Sequence, residues 1–449
     1  MRSWIRYSTV ATAAIAACHF APGLGTDGGA SIDAQPAADA GVCQTLGPAC
    51  ASEDTLRTCA TVDQPPIDTA CAWGCVGSDA TAHCGMLVPS GGTATKSDLG
   101  SDGQLSDITL GADGDINGDD GTFGNLRDNG DKTNPYKNGV FWEVRPDNVA
   151  VFKVKSLNVS ATLNVLGGHA IVIVATDSIT INGSFDLHPK CNGNNTGFNA
   201  GPGGFTGADG MKDAMGSGAG KGGGGDGKLG GGGGGHGAAG GLGGAAGAST
   251  PAAAGPAFGD ATITLLVGGG GGGGGGKGNG KGGGGGGAIQ FVTNGTLTIT
   301  AGGSVNAGGC GGGNGGNGEG GGGGGAGGTI LLEAHDLAIT GELAVNGGGG
   351  GTGDNGPDGS NSLITRVPAP GGQSTDDANA DGGSGAAGAV FSGSVGGNGA
   401  STGGGAGGAV GRMRFNSRSG VVSPVDNAKL SPALDDPGST TTQGRPRID

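Results

Sequence analysis

Long glycine tracts limit the possible folds of this chain more than any other feature of its sequence. Of 449 residues, 116 are glycine, and the densest stretches cover 201–247, 268–287 and 308–328. Glycine has no side chain to bury and loses more conformational entropy on folding than any other residue. Two states are therefore open to the tracts: mobile coil, or extended threefold helices packed side by side through backbone contacts. In both states they form much of one surface.

Outside the tracts, a repeated phrase has the pattern of β strands. Apolar residues alternate with polar ones at Leu157, Val159, Ala161, Leu163 and Val165, which is the period of a strand with one buried face. The sequence pattern that follows, at 170–187, recurs at 288–305 and at 329–345. The chain therefore contains an internal repeat, and each copy comprises several short strands.

The repeat predicts an all-β fold in which parallel β-helix or solenoid-like coils are interrupted by glycine-rich insertions. One coil cannot bury its own apolar row, whereas coils stacked at ~4.8 Å align these rows and pair each backbone with the next. The alternative is an antiparallel β-sandwich with glycine-rich loops, because the Asn-Gly pairs at 182–183 and 294–295 also suit hairpins.

The first 18 residues resemble a bacterial lipoprotein signal peptide. Arg2 and Arg6 precede an apolar stretch, and Ala17 stands directly before Cys18, as a small residue does before the acylated cysteine of a lipobox. The resemblance implies export and attachment to a lipid bilayer through acyl chains on Cys18. The alternative is an ordinary signal peptide with Cys18 unmodified. The next segment, 19–41, has few bulky apolar residues and predicts a flexible tether spanning roughly 25–30 Å.

Eight further cysteines predict disulfides, because export favours oxidation. Six of them form a small module without the CxxC pair expected of a zinc site, and their pairing is left open. These six are Cys43, Cys50, Cys59, Cys71, Cys75 and Cys84. The other two, Cys191 and Cys310, follow Phe185 and Val305 at nearly the same place in successive repeats. If those repeats stack directly, the two cysteines are close enough to bond.

The acidic balance of the chain bears on its ligands. A net charge of −15 argues against nucleic acid, which requires clustered Lys and Arg. Asp113, Asp115, Asn117 and Asp119 match the first ligand positions of an EF-hand-type calcium loop, but Gly124 stands where that loop has its bidentate Glu. We therefore predict weak calcium binding, with a solvated turn as the alternative, and no other cofactor.

Two enzymatic interpretations find little support. Nucleotide binding is not expected, because the Gly-Lys pairs at 220–221 and 276–277 are each followed by Gly instead of the Ser or Thr of a P-loop. For sugar cleavage, the acidic and His candidates do not recur as an acid–base pair. These candidates are Asp177, Asp186, His188 and Asp336. No catalytic residue is assigned.

The composition divides the chain into six segments. They are a signal peptide with the lipidated Cys (1–18), a disordered tether (19–42), the six-cysteine module (43–84), an acidic Asp/Gly segment (92–148), a glycine-rich β-repeat domain (149–432) and a C-terminal tail (433–449).

Three short C-terminal segments, at 407–416, 423–424 and 441–444, also bear on the type of protein. Together with the repeats, these segments resemble a broad type of glycine-rich exported bacterial surface lipoprotein that carries a Cys-rich module. The resemblance implies an exported, surface-displayed body without established catalytic residues. We therefore expect a non-enzymatic lipoprotein of the outer membrane or cell surface with a structural, spacer or adhesive role. Its expected partners are the bilayer and an extracellular glycan or matrix. The alternatives are a calcium- or glycan-binding module, or a β-helix polysaccharide-cleaving enzyme.

Overall fold

The computed structural model describes residues 42–191, 199–224, 226–375, 377 and 379–449. The signal peptide, Cys18 and residues 19–41 of the tether lie outside the described residues. The fold is essentially all-β, as the sequence predicts, with short strands in several sheets and a few 3-10 turns. These turns are Asp79–Thr81, Lys96–Leu99, Asn129–Asp131 and Asn427–Lys429.

The six-cysteine module contains two small antiparallel sheets. Its strands are β1 (Gly47–Ser52), β2 (Thr55–Cys59), β3 (Ile67–Ala70), β4 (Cys75–Val76) and β5 (His83–Cys84). A short strand that follows the module, β6 (Leu87–Val88), pairs antiparallel with the last strand of the chain, β25 (Arg447–Ile448). The last strand of the chain is therefore held next to the segment that follows the module.

A large sheet carries the first strand of each repeat. Its members are β7 (Asp107–Leu110), β10 (Tyr136–Lys137), β11 (Val140–Arg145), β12 (Val149–Val159), β14 (Ala170–Ile181), β16 (Ala288–Thr293), β17 (Thr296–Ile299), β19 (Thr329–Ala334), β20 (Asp336–Ile339), β22 (Arg412–Ser417) and β24 (Thr441–Gly444). A smaller sheet carries the last strand of each repeat. It contains β8 (Gly114–Asn117), β9 (Thr122–Phe123), β13 (Thr162–Leu166), β15 (Ser184–Asp186), β18 (Ser304–Asn306), β21 (Glu342–Ala344) and β23 (Leu430–Ser431).

Equivalent residues of the repeats lie side by side in parallel ladders. Ile171 is paired with Ile289, Ile289 with Ile330, and Ile330 with Met413. The smaller sheet aligns its strands in the same way, again in parallel register. The repeat strands therefore do not pair as the antiparallel sandwich requires. Strand β22 is a further copy of the first strand, which the sequence analysis did not count.

The apolar pattern of each strand follows from how many of its faces are covered. One core lies between the two sheets and buries the alternating residues of 157–165. The other face of the large sheet is covered by Leu87, Leu99, Ile263 and Leu266, among others. The start of β14 is buried on both faces and is therefore a continuous apolar run, as expected for a doubly covered parallel strand.

Two expected segment boundaries do not separate folded units. The acidic segment contributes β7 and β8, and its residues Ile108 and Ile116 belong to the same core as the repeats. The C-terminal tail contributes β24, which extends the large sheet next to β22. We call the two sheets and their cores the β body.

Candidate functional site

The glycine tracts are ordered segments that pack against one another beside the β body. We call the extended chain in 199–224, 226–287, 307–328, 345–375 and 379–411 the glycine lattice. Most of its glycines have a φ outside the left-handed region, as in extended threefold helices. Of the two states that the sequence left open, the structure therefore has the packed one.

Hydrogen bonds leave the interior lattice segment at 230–235 in three directions in turn. Gly230 N donates to Gly244 O, the N of the next residue to Gly321 O, and the N of the third to Lys221 O. The same three neighbouring segments accept again from residues 233, 234 and 235, at 2.9–3.0 Å. A period of three is the symmetry of a threefold helix, and it satisfies buried backbone groups without a sheet. Of the three neighbours of 230–235, the one at 321–324 runs parallel to it, and the two at 241–244 and 218–221 run antiparallel.

The lattice excludes side chains at its interior positions. A Cβ placed on Gly231 would overlap the carbonyl oxygen of Gly273, and one on Gly273 would overlap that of Lys221. Because the opposing atoms belong to backbone, they cannot rotate away as a side chain would. At Gly278, in an exposed turn between two tracts, no atom lies within 4 Å of such a Cβ. Glycine is therefore a packing requirement at these interior positions and not at Gly278.

Polar residues that interrupt the tracts meet at one end of the lattice. Gly280 N donates to Asn314 O at 2.6 Å, and Asp354 N donates to Glu319 O at 2.9 Å. Asn314 also donates through its side chain to Asp358 at 2.8 Å. We call the turns 209–213, 226–228, 277–281, 314–319 and 354–358, with Lys221, the polar end. Charged and amide side chains are accessible there.

Charges at the polar end are mixed in sign. Lys221 pairs with Asp213 at 2.9 Å, and Lys228 lies 3.7 Å from Asp226. These side chains are about half exposed, and exposed pairs of this kind contribute little to stability. The polar end is therefore suited to contact with polar ligands and does not form a strongly charged patch.

Cys191 and Cys310 form a disulfide with a Cα–Cα distance of 5.6 Å, the bond expected from their repeat positions. The strands that precede them, β15 and β18, are adjacent and pair Phe185 with Val305. Cys310 belongs to the lattice, where its N donates to Gly284 O. The bond therefore fastens the lattice to the chain that leaves β15.

His188 accompanies this disulfide. Its Nδ1 lies 3.3 Å from Cys191 Sγ, and its Nε2 lies 3.2 Å from Gly309 O. Burial lowers the pKa of His188 despite the nearby Asp186 carboxylate, which raises it. Within the described ranges, His188, Cys191 and Cys310 are the one group of three or more His, Cys, Asp or Glu side chains with ligand atoms within 4.8 Å of one another. Because both sulfur atoms are bonded to each other, the group offers no thiolate to a metal.

The six cysteines of the module form three disulfides. The pairs are Cys43–Cys59, Cys50–Cys75 and Cys71–Cys84. The module contacts the β body through Trp73, whose ring meets His335 edge-on at a centroid distance of 5.4 Å. His335 Nε2 also lies 2.8 Å from Ala72 O, and Arg418 pairs with Asp54.

The four residues of the expected calcium loop are spread along a strand. Residues 114–117 form β8, which places Asp113 just before the strand and Asp119 just after it. Asp113 accepts from Thr162 N at 2.8 Å, and Asp115 accepts from Asn164 Nδ2 at 3.0 Å. Asp119 accepts from Gly168 N and lies beside His169, while Asn117 Oδ1 accepts from Asp119 N. These oxygens are used in contacts between neighbouring strands and turns.

The candidates for sugar cleavage are also occupied by structural contacts. Asp186 accepts from His188 N at 3.1 Å and from Asn306 Nδ2 at 3.2 Å. Asp336 lies 2.8 Å from His335, and Asp177 lies 4.0 Å from Lys155.

A buried carboxylate that the sequence analysis did not identify lies on the outer face of the large sheet. Glu333 Oε1 accepts from Ser90 Oγ at 2.8 Å, and its Oε2 accepts from Ser90 N at 2.9 Å. Gln290 and Asn416, on the two adjacent strands, donate to it at 2.6 and 2.8 Å. Burial raises the pKa of Glu333, and these hydrogen bonds oppose the rise. The cluster fixes the segment after the six-cysteine module to the sheet.

Two further buried titratable groups hold segments in place. Burial raises the pKa of Asp98, but hydrogen bonds from Arg145 and Thr95 outweigh it and lower the pKa to about 2. His236 lies inside the lattice, stacked on Phe258, with its Nδ1 2.8 Å from Gly327 O. Burial lowers the pKa of His236 to about 4. For His236 and Glu333, the sequence signal is a single titratable residue within a glycine tract or an apolar strand.

Comparisons with family models, with curated proteins and with solved structures find no match for this chain. Among the described residues, no helix has the length and apolar character to cross a membrane.

Proposed function

We propose that this protein is a cell-envelope lipoprotein whose folded part is a rigid structural spacer. The observation that carries the proposal is the three-directional hydrogen bonding of the glycine lattice. In a sheet, an edge strand can be removed by breaking one ladder, whereas a lattice segment is bonded to several neighbours at once. Such a body keeps its dimensions under load and exposes little loose chain to proteases.

The finer architecture belongs to the same proposal. We propose that the β body is a parallel β-solenoid in which each coil passes through the large sheet and then the smaller one. The in-register pairing of four copies along β14, β16, β19 and β22 supports this arrangement. The lattice would then be a set of long insertions that leave after the last strand of one coil and return before the first strand of the next.

The anchor is proposed from the sequence around Cys18. An acylated Cys18 followed by a tether of roughly 25–30 Å would hold the folded part close to the bilayer and outside it. We propose no catalytic role, in keeping with the structural contacts of Asp98, Glu333 and His236.

Two measurements on cells that express the full chain test this function. An acyl-chain probe should label the native protein and not Cys18→Ala, and equal labelling of both would contradict the anchor. A short epitope inserted at Gly278, where the turn has open space, should bind antibody on intact cells. If the epitope becomes accessible only after permeabilisation, the surface location is wrong.

An adhesive role is the second candidate, and the accessible side chains of the polar end favour it. A glycan array probed with the native protein and with a Lys277→Ala, Asn279→Ala double variant tests this role. Lys429→Ala, which changes a lysine on the β body, is the matched control. Glycan binding that is lost in the double variant and kept in the control would support adhesion at the polar end. If the native protein binds no glycan on the array, the adhesive role is contradicted and the spacer function stands as the proposal.

A further inference from the structure

An apolar surface of the six-cysteine module lies at the point where the described chain begins. Four of its side chains are about half exposed or more: Val42 at 48%, Leu46 at 63%, Val62 at 45% and Ile67 at 64%. We call these residues, with Pro48 and Pro66, the module apex. Large apolar side chains clustered on a surface indicate an interaction site.

Local contacts bring these residues together, although they come from separate segments. The Cys43–Cys59 disulfide joins the start of the module to the end of β2. Cys43 also exchanges backbone hydrogen bonds with Asp63 and Gln64, at 3.0 and 2.8 Å. The register of the sheet places Pro48 opposite Thr58 and Thr58 opposite Ile67. Val42, Leu46, Val62 and Ile67 therefore border the same end of the sheet.

The apex points away from the β body. Strands β1 and β2 form a hairpin, and its turn, at Glu53 and Asp54, faces the body through the ion pair of Asp54 with Arg418. The apex is at the open end of the same hairpin, roughly 15–20 Å away at ~3.3 Å per residue. The chain that leads to Cys18 joins the module at this open end, at Val42.

We propose that the module apex rests on the lipid bilayer in which Cys18 is anchored. This inference depends on the proposed lipid anchor. The tether from the anchor ends within the apex, and a flexible tether of this length has a mean span of roughly 25–30 Å, so the apex stays close to the membrane surface on average. At that range, contact with the bilayer is an intramolecular event, and a few apolar side chains suffice where they would not bind alone.

The charge of the apex fits an interfacial contact. Across 42–49 and 59–67 the one charged residue is Asp63, and the nearby Arg57 is paired with Asp68 at 2.8 Å. No lysine or arginine of these two segments would bind anionic headgroups, so apolar contact carries the interaction.

Quenching of tryptophan fluorescence by brominated lipid tests this orientation. Mature acylated full-length protein carrying Leu46→Trp would be reconstituted into vesicles of phosphatidylethanolamine and phosphatidylglycerol with brominated acyl chains. Val395→Trp is the matched control, since Val395 has the same exposure of 63% and lies in the lattice. The native Trp73 and Trp142 give the same background in both proteins. We expect bromolipid to quench the Leu46→Trp signal about twofold more than the Val395→Trp signal.

The outcomes separate this inference from the proposed function. Equal quenching in two proteins that both float with the vesicles would overturn the apex contact and leave the anchor intact. Failure of the native protein to float would overturn the anchor, and the apex contact with it. Ile67→Ser in the Leu46→Trp protein should reduce the extra quenching if the apex acts as one surface. Unchanged quenching would show that Leu46→Trp reports its own insertion and would overturn the apex contact.

Discussion

The β body and the glycine lattice bury their interiors by opposite means. In the β body, large side chains fill the space between sheets, as where Phe185 and Phe291 meet edge-on at 4.9 Å. In the lattice, carbonyl oxygens occupy the space where side chains would lie, and backbone hydrogen bonds hold the segments together. A chain poor in large apolar residues can thus form a compact interior from its backbone, because buried N–H and C=O groups are costly only when they are unpaired.

The sharpest test of this contrast adds a side chain to the lattice. Gly273→Val should prevent the surrounding segments from packing, because its side chain meets the backbone of Lys221. The loss should exceed the ~1–3 kcal/mol that overpacking costs in a side-chain core, since backbone cannot repack. Limited proteolysis and hydrogen exchange of the lattice measure it.

Gly278→Val is the matched control for this substitution. Gly278 lies in the turn directly after the same tract and has open space around its Cβ position. It should keep native protection. Equal protection in both variants would mean that the lattice does not depend on close backbone contact.

The reciprocal test removes a side chain from the β body. Phe291→Ala should lower the free energy of unfolding by about 3–5 kcal/mol, because the buried ring leaves a cavity between the sheets. Denaturant titration measures the change. Leu265→Ala, at a side chain that is 59% exposed, should cost far less, and a similar loss in both would argue against a side-chain core.

A pH titration examines the one imidazole buried inside the described part of the lattice. The folded pKa of His236 is about 4, against an ordinary value of 6.5, so the folded state binds a proton less readily than the unfolded chain. The contribution of neutral His236 to the free energy of unfolding is complete above pH 6.5. It is lost as the pH falls towards 4, by about 3 kcal/mol in all.

His236→Gln should remove its own part of the pH dependence of unfolding between pH 7 and 4, while His188, whose pKa burial also lowers, keeps its part. The contribution of Asp98, whose pKa is lowered, disappears only below 3.8 and does not overlap this window. A variant that keeps the full slope above pH 4 would place the titrating group elsewhere.

The smallest expected effect concerns the acidic strand. Asp115 is exposed and accepts one hydrogen bond from Asn164, so Asp115→Ala should change stability by less than about 1 kcal/mol. Calorimetry with millimolar calcium should show the same heat for the native protein and the variant, because β8 spreads the oxygens along a strand. Heat that depends on Asp115 would instead support the calcium loop expected from the sequence.

Several features of the fold are predictable because they arise from local pattern. The alternation at 157–165 identifies strands, and the repeat phrases identify which strands are equivalent. The positions of Cys191 and Cys310 after equivalent strands were sufficient to predict their disulfide. When two strands pair in parallel register, the residues that follow them are also brought close together. Apolar periodicity and residue spacing are properties of a few neighbouring residues, and they determine secondary structure through local geometry.

The tertiary structure alone decided which segments are neighbours in the lattice. Glycines are chemically identical, so no pattern in 268–287 indicates that its segments pack between those of residues 230–235 and 320–327. The contact of Glu333 with Ser90 joins residues far apart in sequence, and neither residue carries a local signal of the other. Likewise, the motif from Asp113 to Asp119 has the composition of a calcium loop, but pairing with β13 draws it into a strand. Side-chain patterns specify local conformation, whereas backbone packing and long-range burial depend on where the whole chain has placed its other parts.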